Sequence, residues 1–277
     1  MVISIMGLAM AYNVLRKKIG ASWSGAFPAA LLATLWLLPS ALPAKGILDE
    51  RAEERSSTFP VSDLQLYLPN SAADAPQKEA VRTGDYPEKE MLEEVAALLP
   101  PNAIVIEIGA GTGLHSCFWA TEGGAERVIA FEPMSNVHGA FLRNIEINCL
   151  KRKIKIHKIA LSDEDGQVAV DFAQPASPSE VRLKKVSAGG EGTIPAKRLD
   201  SIDLNVDRVD LIEITANGFE PKILAGALKT IERYRPGYIL VELEANARET
   251  KRILTGLGYV REKKFSQDRA LYKRSSR

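Results

Sequence analysis

Cysteine and histidine are scarce in this sequence and its net charge is close to zero, and each of these features excludes a class of protein. Cys117 and Cys149 are the two cysteines, and their spacing fits neither a disulfide framework nor a redox motif, so both are predicted to be reduced thiols. The three histidines are scattered, which leaves no evident zinc site. A net charge of +1 gives no overall field to attract nucleic acid, so no nucleic-acid partner is expected.

Acidic residues are absent from residues 1–48, and Asp49 is the first. Residues 21–44 carry no charge and are long enough to span a hydrocarbon core of about 30 Å as one helix. Three interpretations remain open: a membrane anchor, a removed signal or organelle targeting peptide, and a buried helix of a soluble domain. We favour a single-pass membrane anchor. Basic residues on both sides of it leave its orientation undecided.

Composition divides the chain into three regions. Residues 1–44 form the apolar anchor or targeting segment, and residues 45–84, with three prolines and mixed charge, are predicted to be a linker. A globular domain is predicted over residues 85–277. It opens with Asp85, whose spacing to Pro87 and Glu88 is typical of a helix cap.

Short apolar runs alternate with helical stretches in this domain, which predicts an α/β fold. The sheet is expected to be Rossmann-like, mostly parallel with an antiparallel edge strand, and covered by helices on both faces. Residues 166–198 depart from the alternation and are predicted to be an insertion over a substrate pocket. Strands are predicted at 103–108, 127–131, 154–160, 208–214 and 238–243, with helices at about 113–121, 134–149, 219–233 and 246–256.

The stretch EIGAGTG at 107–113 ends the first of these strands and opens a helix. Its glycines permit a tight turn and a close approach of backbone to ligand. A dinucleotide loop needs glycine where Leu114 stands. The spacing G-x-G-x-G instead resembles the S-adenosylmethionine-binding loop of Rossmann-like methyltransferases. The predicted loop residues are Gly109, Ala110, Gly111 and Gly113.

Two carboxylates flank this loop in the predicted sheet. Glu107 precedes the first glycine by two residues and is expected to hold the cationic amino group of the cofactor. Glu132 ends the second predicted strand, where a carboxylate can accept both ribose hydroxyls. Together the two carboxylates and the loop predict an S-adenosylmethionine site.

Four further blocks resemble the FkbM-type methyltransferases over about residues 85–245. They are RVIAFEPMSNVHGAFLRNIEIN, KIALSDEDGQVAV, IPAKRLDSI and DLIEITANGFEPKILAGALKTIERYRPGYILVE. The resemblance implies methylation of a hydroxyl oxygen on a small molecule, lipid or glycan. It also implies that Asp163 lies near the adenine.

The family usually carries a Lys-x-Asp-x-Glu-Gly run that is altered here to Glu213-Ile-Thr215-Ala-Asn217-Gly218. Oxygen methylation needs a group that accepts the hydroxyl proton. Glu213 and Glu242 are the candidate catalytic carboxylates, and His115 is an alternative that could touch the ligand.

Two functions therefore remain open. One is a membrane-tethered methyltransferase, with its domain on the cytoplasmic, matrix or stromal side where the cofactor is available. The other is an inactive methyltransferase-like subunit of a membrane complex.

Overall fold

A seven-stranded sheet forms the centre of the computed structural model, which describes residues 57–171, 182–185, 193–243, 246–266 and 268–275. In chain order the strands are β1 (Thr58–Val61), β2 (Leu64–Tyr67), β3 (Ile104–Ile108), β4 (Arg127–Phe131), β5 (Ile154–His157), β6 (Ala160–Leu161), β7 (Gly166–Asp171), β8 (Arg182–Lys185), β9 (Thr193–Lys197), β10 (Leu211–Ile214), β11 (Tyr238–Glu242), β12 (Tyr259–Lys264) and β13 (Arg269–Arg274). The helices are α1 (Ala75–Thr83), α2 (Lys89–Ala96), α3 (Leu114–Ala120), α4 (Ser135–Ile147), α5 (Glu220–Ala225), α6 (Leu228–Tyr234) and α7 (Ala247–Gly256).

The spatial order of the central sheet is β12-β13-β11-β10-β3-β4-β5. The strands from β11 to β5 are parallel, whereas β13 runs antiparallel to both β11 and β12. The chain moves outward from β3 to β5, then returns to β10 on the other side of β3. Such a reversal opens a crevice at the carboxyl ends of the strands. The predicted Rossmann-like sheet with an antiparallel edge is confirmed.

Helices cover both faces of the sheet, because its parallel strands are apolar on both sides. In β3, Val105 and Ile106 are both fully buried but belong to opposite faces. The first face packs against α2, α3 and α4, and the second against α5, α6 and α7. The sheet is thereby fixed rigidly enough to hold side chains at its carboxyl edge.

The region predicted to be a linker is structured over much of its length, which corrects that prediction. Strands β1 and β2 form a hairpin, and Val61, Leu66 and Leu68 are fully buried in the core of the first face. Asn144 of α4 fixes the hairpin, since its Oδ1 accepts from the backbone N–H of Tyr67 at 2.6 Å and its Nδ2 donates to the Tyr67 carbonyl at 3.3 Å. These strands are too short to leave a long periodic pattern.

The insertion between β5 and β10 builds a separate four-stranded sheet of order β6-β9-β7-β8. Its predicted strand-like stretch is β7, and the residues at 172–181 and 186–192 lie outside the described part. Leu183 of β8 reaches the cavity described below, as expected of a segment over a pocket.

Helix α2 begins at Lys89 and not at the predicted cap. Glu88 adopts a left-handed conformation with φ of 56°, so the helix does not extend back through it. Asp85 instead accepts hydrogen bonds from the backbone N–H of Tyr86 and from the Lys89 ammonium.

The predicted membrane anchor at 21–44 lies outside the described residues and stays a prediction. Among the residues that the structure describes, no helix combines the length and apolar character needed to cross a bilayer.

Candidate functional site

A cavity of about 320 Å³ opens at the carboxyl ends of β3, β4 and β10. It lies at the reversal of strand order, where ligands bind in open α/β sheets. Its lining combines apolar side chains with polar and ionisable ones. The apolar part includes Pro133, Met134, Val137 and Leu183, and α1 with its cap contributes Asp74, Ala75, Pro76, Gln77 and Glu79. A ligand with both apolar and charged groups matches this lining.

The glycine loop forms part of the cavity wall. Gly109 has a φ of +83°, and a Cβ there would lie 1.8 Å from the Thr215 carbonyl oxygen, so the loop is pressed against the end of β10. Gly111 has a φ of +54°, yet a Cβ there would meet no atom within 4 Å. Gly111 lines the cavity, so the space above it is available to a ligand.

The other two predicted loop residues differ in what they contact. Ala110 lines the cavity beside the glycines. Gly113 is absent from that lining, and a Cβ there would lie 2.2 Å from the Phe141 ring. Gly113 therefore permits helix packing and does not face the ligand space.

Glu132 lies where the sequence predicts a ribose-binding carboxylate. It follows β4, is 5% exposed and lines the cavity. Its Oε2 accepts from the backbone N–H of Gly111 at 2.8 Å, and its Oε1 accepts from that of Met134 at 2.7 Å. Burial raises the pKa of Glu132, and these two N–H groups oppose the rise. Each carboxylate oxygen has a second lone pair, so Glu132 can still accept ligand hydroxyls.

Glu107 and Glu213 are register partners on the neighbouring strands β3 and β10. Both are buried, at 4% and 0% exposed. The Ser116 hydroxyl donates to Glu107 Oε2, while Trp119 Nε1 donates to Glu213 Oε2 at 2.7 Å. Two carboxyl groups thus lie side by side beneath the cavity floor, and only Glu107 lines the cavity.

His115 lines the cavity and contacts Glu213. Its Nδ1 is 2.8 Å from Glu213 Oε1, and its Nε2 is 3.8 Å from Glu88 Oε2. Burial alone would lower the pKa of His115, but the Glu213 carboxylate outweighs it and the pKa is raised. Burial would likewise raise the pKa of Glu213, yet His115 holds it below its usual range. The two groups form an ion pair.

Glu107 lacks such a cationic partner. Its burial, followed by the charge of Glu213, raises the pKa of Glu107 to about 8. Ligand atoms of Glu107, His115 and Glu213 lie within 4.8 Å of one another, a spacing that a metal could bridge. The pairing of β3 with β10, the His115–Glu213 contact and the hydrogen bond from Ser116 to Glu107 already account for this spacing, so we assign no metal here.

Arg269 is a site residue that the sequence did not reveal. It comes from β13, is 8% exposed and lines the cavity. Its Nη1 donates to Thr215 Oγ1 at 2.6 Å, and its Nε and Nη2 donate to Glu88 at 3.2 and 3.0 Å. Arg269 and Glu88 are 181 positions apart, so no local motif could have paired them.

The remaining predicted residues lie at the margin of the cavity or away from it. Glu242 is partly buried at the end of β11, and its Oε2 accepts from the backbone N–H of Asn217 at 3.3 Å. Asp163 forms an ion pair with Lys222 at 3.6 Å and accepts from the Ser162 hydroxyl at 3.0 Å. Neither residue lines the cavity, and the expected position of Asp163 near the adenine stays a prediction.

Comparison with known proteins gives sequence relatives and similar solved structures. AMB antimetabolite synthetase AmbE of Pseudomonas aeruginosa is 24% identical over 47% of this chain and 8% of its own length. Methyltransferase sdnD of Sordaria araneosa is 21% identical over 54% of this chain and 73% of its own. A putative tRNA (m1A22) methyltransferase of Streptococcus pneumoniae, solved with S-adenosyl-L-methionine, is 14% identical with a TM-score of 0.45, covering 68% of this chain and 73% of its own.

The family match is the decisive comparison. The family model described as the methyltransferase FkbM domain matches residues 107–266, which is more than half of the chain. The match begins at Glu107 and includes the glycine loop, Glu132 and the altered run at 213–218. The resemblance predicted from the sequence is therefore confirmed, and with it the cofactor. The chain belongs to the FkbM-domain methyltransferases, which use S-adenosylmethionine as methyl donor.

Proposed function

We propose that this protein methylates a hydroxyl oxygen of a small molecule, lipid or glycan while tethered to a membrane through residues 21–44. The observation that carries the proposal is the placement of Glu107 and Glu132 on either side of an open glycine loop. The cavity thus offers one carboxyl group to a cationic amine and another to a pair of hydroxyls.

The residues present fit S-adenosylmethionine. Glu132 would accept from the ribose hydroxyls, and the apolar side chains of Pro133, Met134 and Val137 would contact the adenine. Glu107 would hold the amino group. When bound, the cofactor supplies an electrophilic methyl group on a sulfonium. The protein's own part is to align an acceptor oxygen with that methyl and to remove the oxygen's proton.

The altered run at 213–218 matters for the removal of that proton. Thr215 is a hydroxyl already bound to Arg269 and is a poor base. Glu213 is fully buried and contacts His115, so it could take up the acceptor's proton only by way of that imidazole in its neutral form. Glu242 lies beside Asn217 near the rim and is the second candidate.

A second function is favoured by one specific observation. The Arg269 guanidinium is held between Thr215 and Glu88 in the cavity wall, where it neutralises a carboxylate and cannot itself accept a proton. This arrangement suits a domain that binds the cofactor but has lost turnover, and that serves as a subunit of a membrane complex.

The compartment follows from cofactor supply in the active case. An S-adenosylmethionine-dependent domain should face the cytoplasmic, matrix or stromal side of its membrane. No nucleic-acid acceptor is proposed, because the net charge of +1 provides no field to attract one.

Methyl transfer and cofactor binding should be measured on the same preparation. The full-length protein would be incubated with methyl-labelled S-adenosylmethionine and fractions of hydroxylated lipids, glycans and small metabolites. Labelled product that requires the protein and disappears in Gly111→Val supports the enzyme. Binding of S-adenosylhomocysteine without labelled product in any fraction supports the inactive subunit, and absence of binding refutes both.

A further inference from the structure

Two carboxyl groups and one imidazole are enclosed together at the floor of the cavity. Glu107 and Glu213 lie opposite each other on adjacent strands, and His115 completes the cluster within 4.8 Å. Water is nearly excluded, since the two glutamates are 4% and 0% exposed. Two buried carboxylates this close to each other cannot both stay negatively charged unless a nearby positive charge or a bound proton compensates them.

The positive charge of His115 lies against Glu213 and not against Glu107. His115 Nδ1 contacts Glu213 at 2.8 Å, and Trp119 adds a neutral donor. Within the part of the chain that the structure describes, Glu107 accepts a hydrogen bond from the Ser116 hydroxyl alone. The guanidinium of Arg269 is held by Glu88 through two hydrogen bonds. The titratable or charged groups that face the cluster are Glu213 from β10, His115 and Cys117 from α3, Glu132 after β4, Arg269 from β13 and Glu88 before α2.

We propose that Glu107 carries a proton in the unliganded protein and releases it to solvent when a cationic amino group binds at the cavity floor. The ligand's ammonium keeps its own protons and replaces the proton of Glu107 as the partner of the carboxylate. The inference rests on the proposed function, in that the ammonium is the amino-acid end of the cofactor. Binding of the cofactor is therefore coupled to pH at this one residue.

The electrostatics of the cluster agree with this geometry. Burial and the neighbouring Glu213 charge both favour the neutral form of Glu107 and raise its pKa. The Cys117 thiol, which also faces Glu107, stays neutral because burial raises its pKa too. An arriving ammonium reverses the balance, because an opposite charge at contact favours the ionised carboxylate.

Calorimetry in buffers of different ionisation enthalpy measures the released proton directly. The full-length protein in detergent would be titrated with S-adenosylhomocysteine at pH 6.5, where an α-amino group is already protonated. We expect release of about one proton per ligand, and an affinity that rises with pH until Glu107 ionises unaided. The matched ligand 5′-methylthioadenosine lacks the amino-acid end and should bind without releasing a proton.

Two variants separate Glu107 from other sources of the proton. Glu107→Gln mimics the protonated side chain and should abolish both the release and the pH dependence of affinity. Glu126→Gln, at an exposed carboxylate before β4 and remote from the cavity, should leave both unchanged. Release that persists in Glu107→Gln would assign the proton elsewhere, for instance to His115, and would overturn the inference.

The outcomes also distinguish this inference from the proposed function. Absence of binding by the wild type refutes the cofactor site itself. Binding with no proton release refutes only the protonated state of Glu107. Thermal melting provides a second readout, since Glu107→Gln removes the cost of protonating Glu107 on folding, so that stability at pH 6 should hold or rise. A large loss of stability in Glu107→Gln at that pH would mean that the residue is ionised, and would also overturn the inference.

Discussion

Replacing Gly109 and Gly111 separately by alanine should separate folding from binding at the glycine loop. Both residues have a positive φ, and both line the cavity. A Cβ on Gly109 would lie 1.8 Å from the carbonyl oxygen and 2.9 Å from the carbonyl carbon of Thr215, which are backbone atoms. A Cβ on Gly111 would meet nothing within 4 Å. The first change therefore strains the protein, and the second enters the space meant for the ligand.

The expected magnitudes follow from these contacts. A left-handed alanine costs about 1 kcal/mol at either position. Gly109→Ala must also move the end of β10, and such overpacking adds about 1–3 kcal/mol. For a domain of this size 1 kcal/mol lowers Tm by about 2–4 °C. We expect Gly111→Ala to lower Tm by about 2–4 °C and Gly109→Ala by roughly 4–16 °C.

Thermal melting and titration with S-adenosylhomocysteine test the two halves of this expectation. Gly111→Ala should weaken binding by about tenfold or more, equivalent to about 1.4 kcal/mol, although its fold is nearly intact. Equal loss of stability in the two variants would refute the packing argument. Wild-type affinity in Gly111→Ala would show that the ligand does not approach the loop backbone.

Four further outcomes are expected. Glu107 and His115 both have a raised pKa in the folded state, so the folded protein holds protons that the unfolded chain has lost. Stability should fall by up to about 1.4 kcal/mol per pH unit between about 4.5 and about 8 because of Glu107, and His115 should add to the fall above about 6.5. The dependence of Tm on pH should be weaker in Glu107→Gln. Glu213→Gln should lower turnover by about 100-fold while cofactor affinity stays within about threefold, and unchanged turnover in both Glu213→Gln and Glu242→Gln would exclude both candidate bases. Leu66→Ala should cost about 2–5 kcal/mol in chemical denaturation, because Leu66 is fully buried, whereas a true linker would show no loss. Alkaline carbonate should fail to extract the full-length chain from membranes but should extract a chain lacking residues 1–44; extraction of the full-length chain would exclude the anchor.

The parts of the site that sequence could predict are those encoded by neighbouring residues. The glycine spacing and the strand preceding it place Glu107, and the next strand places Glu132, because parallel strands end at the same edge of the sheet. Both glutamates line the cavity as expected. The register between Glu107 and Glu213, by contrast, depends on how β10 returns beside β3, which no local pattern specifies.

The missed features depend on long-range contacts. Arg269 reaches Glu88 and Thr215 from the last hairpin of the described chain, across 181 and 54 positions. The hairpin of β1 and β2 lies in the region predicted to be a linker, because its strands have four residues each and the prolines at 60, 69 and 76 suggest irregular structure. Its buried leucines find their partners on α4 and the first face of the sheet, which the local sequence does not show.

Photo-crosslinking of methyl-labelled S-adenosylmethionine to the full-length protein tests the central claim most directly, because it locates the ligand. After ultraviolet irradiation and proteolysis, mass spectrometry would identify the labelled peptides. We predict labelling confined to peptides that contain residues 107–115 or 132–137, and its suppression by excess S-adenosylhomocysteine. Labelling confined to peptides that contribute no residue to the cavity, or labelling that the competitor does not reduce, would contradict a cofactor site at the carboxyl edge of this sheet.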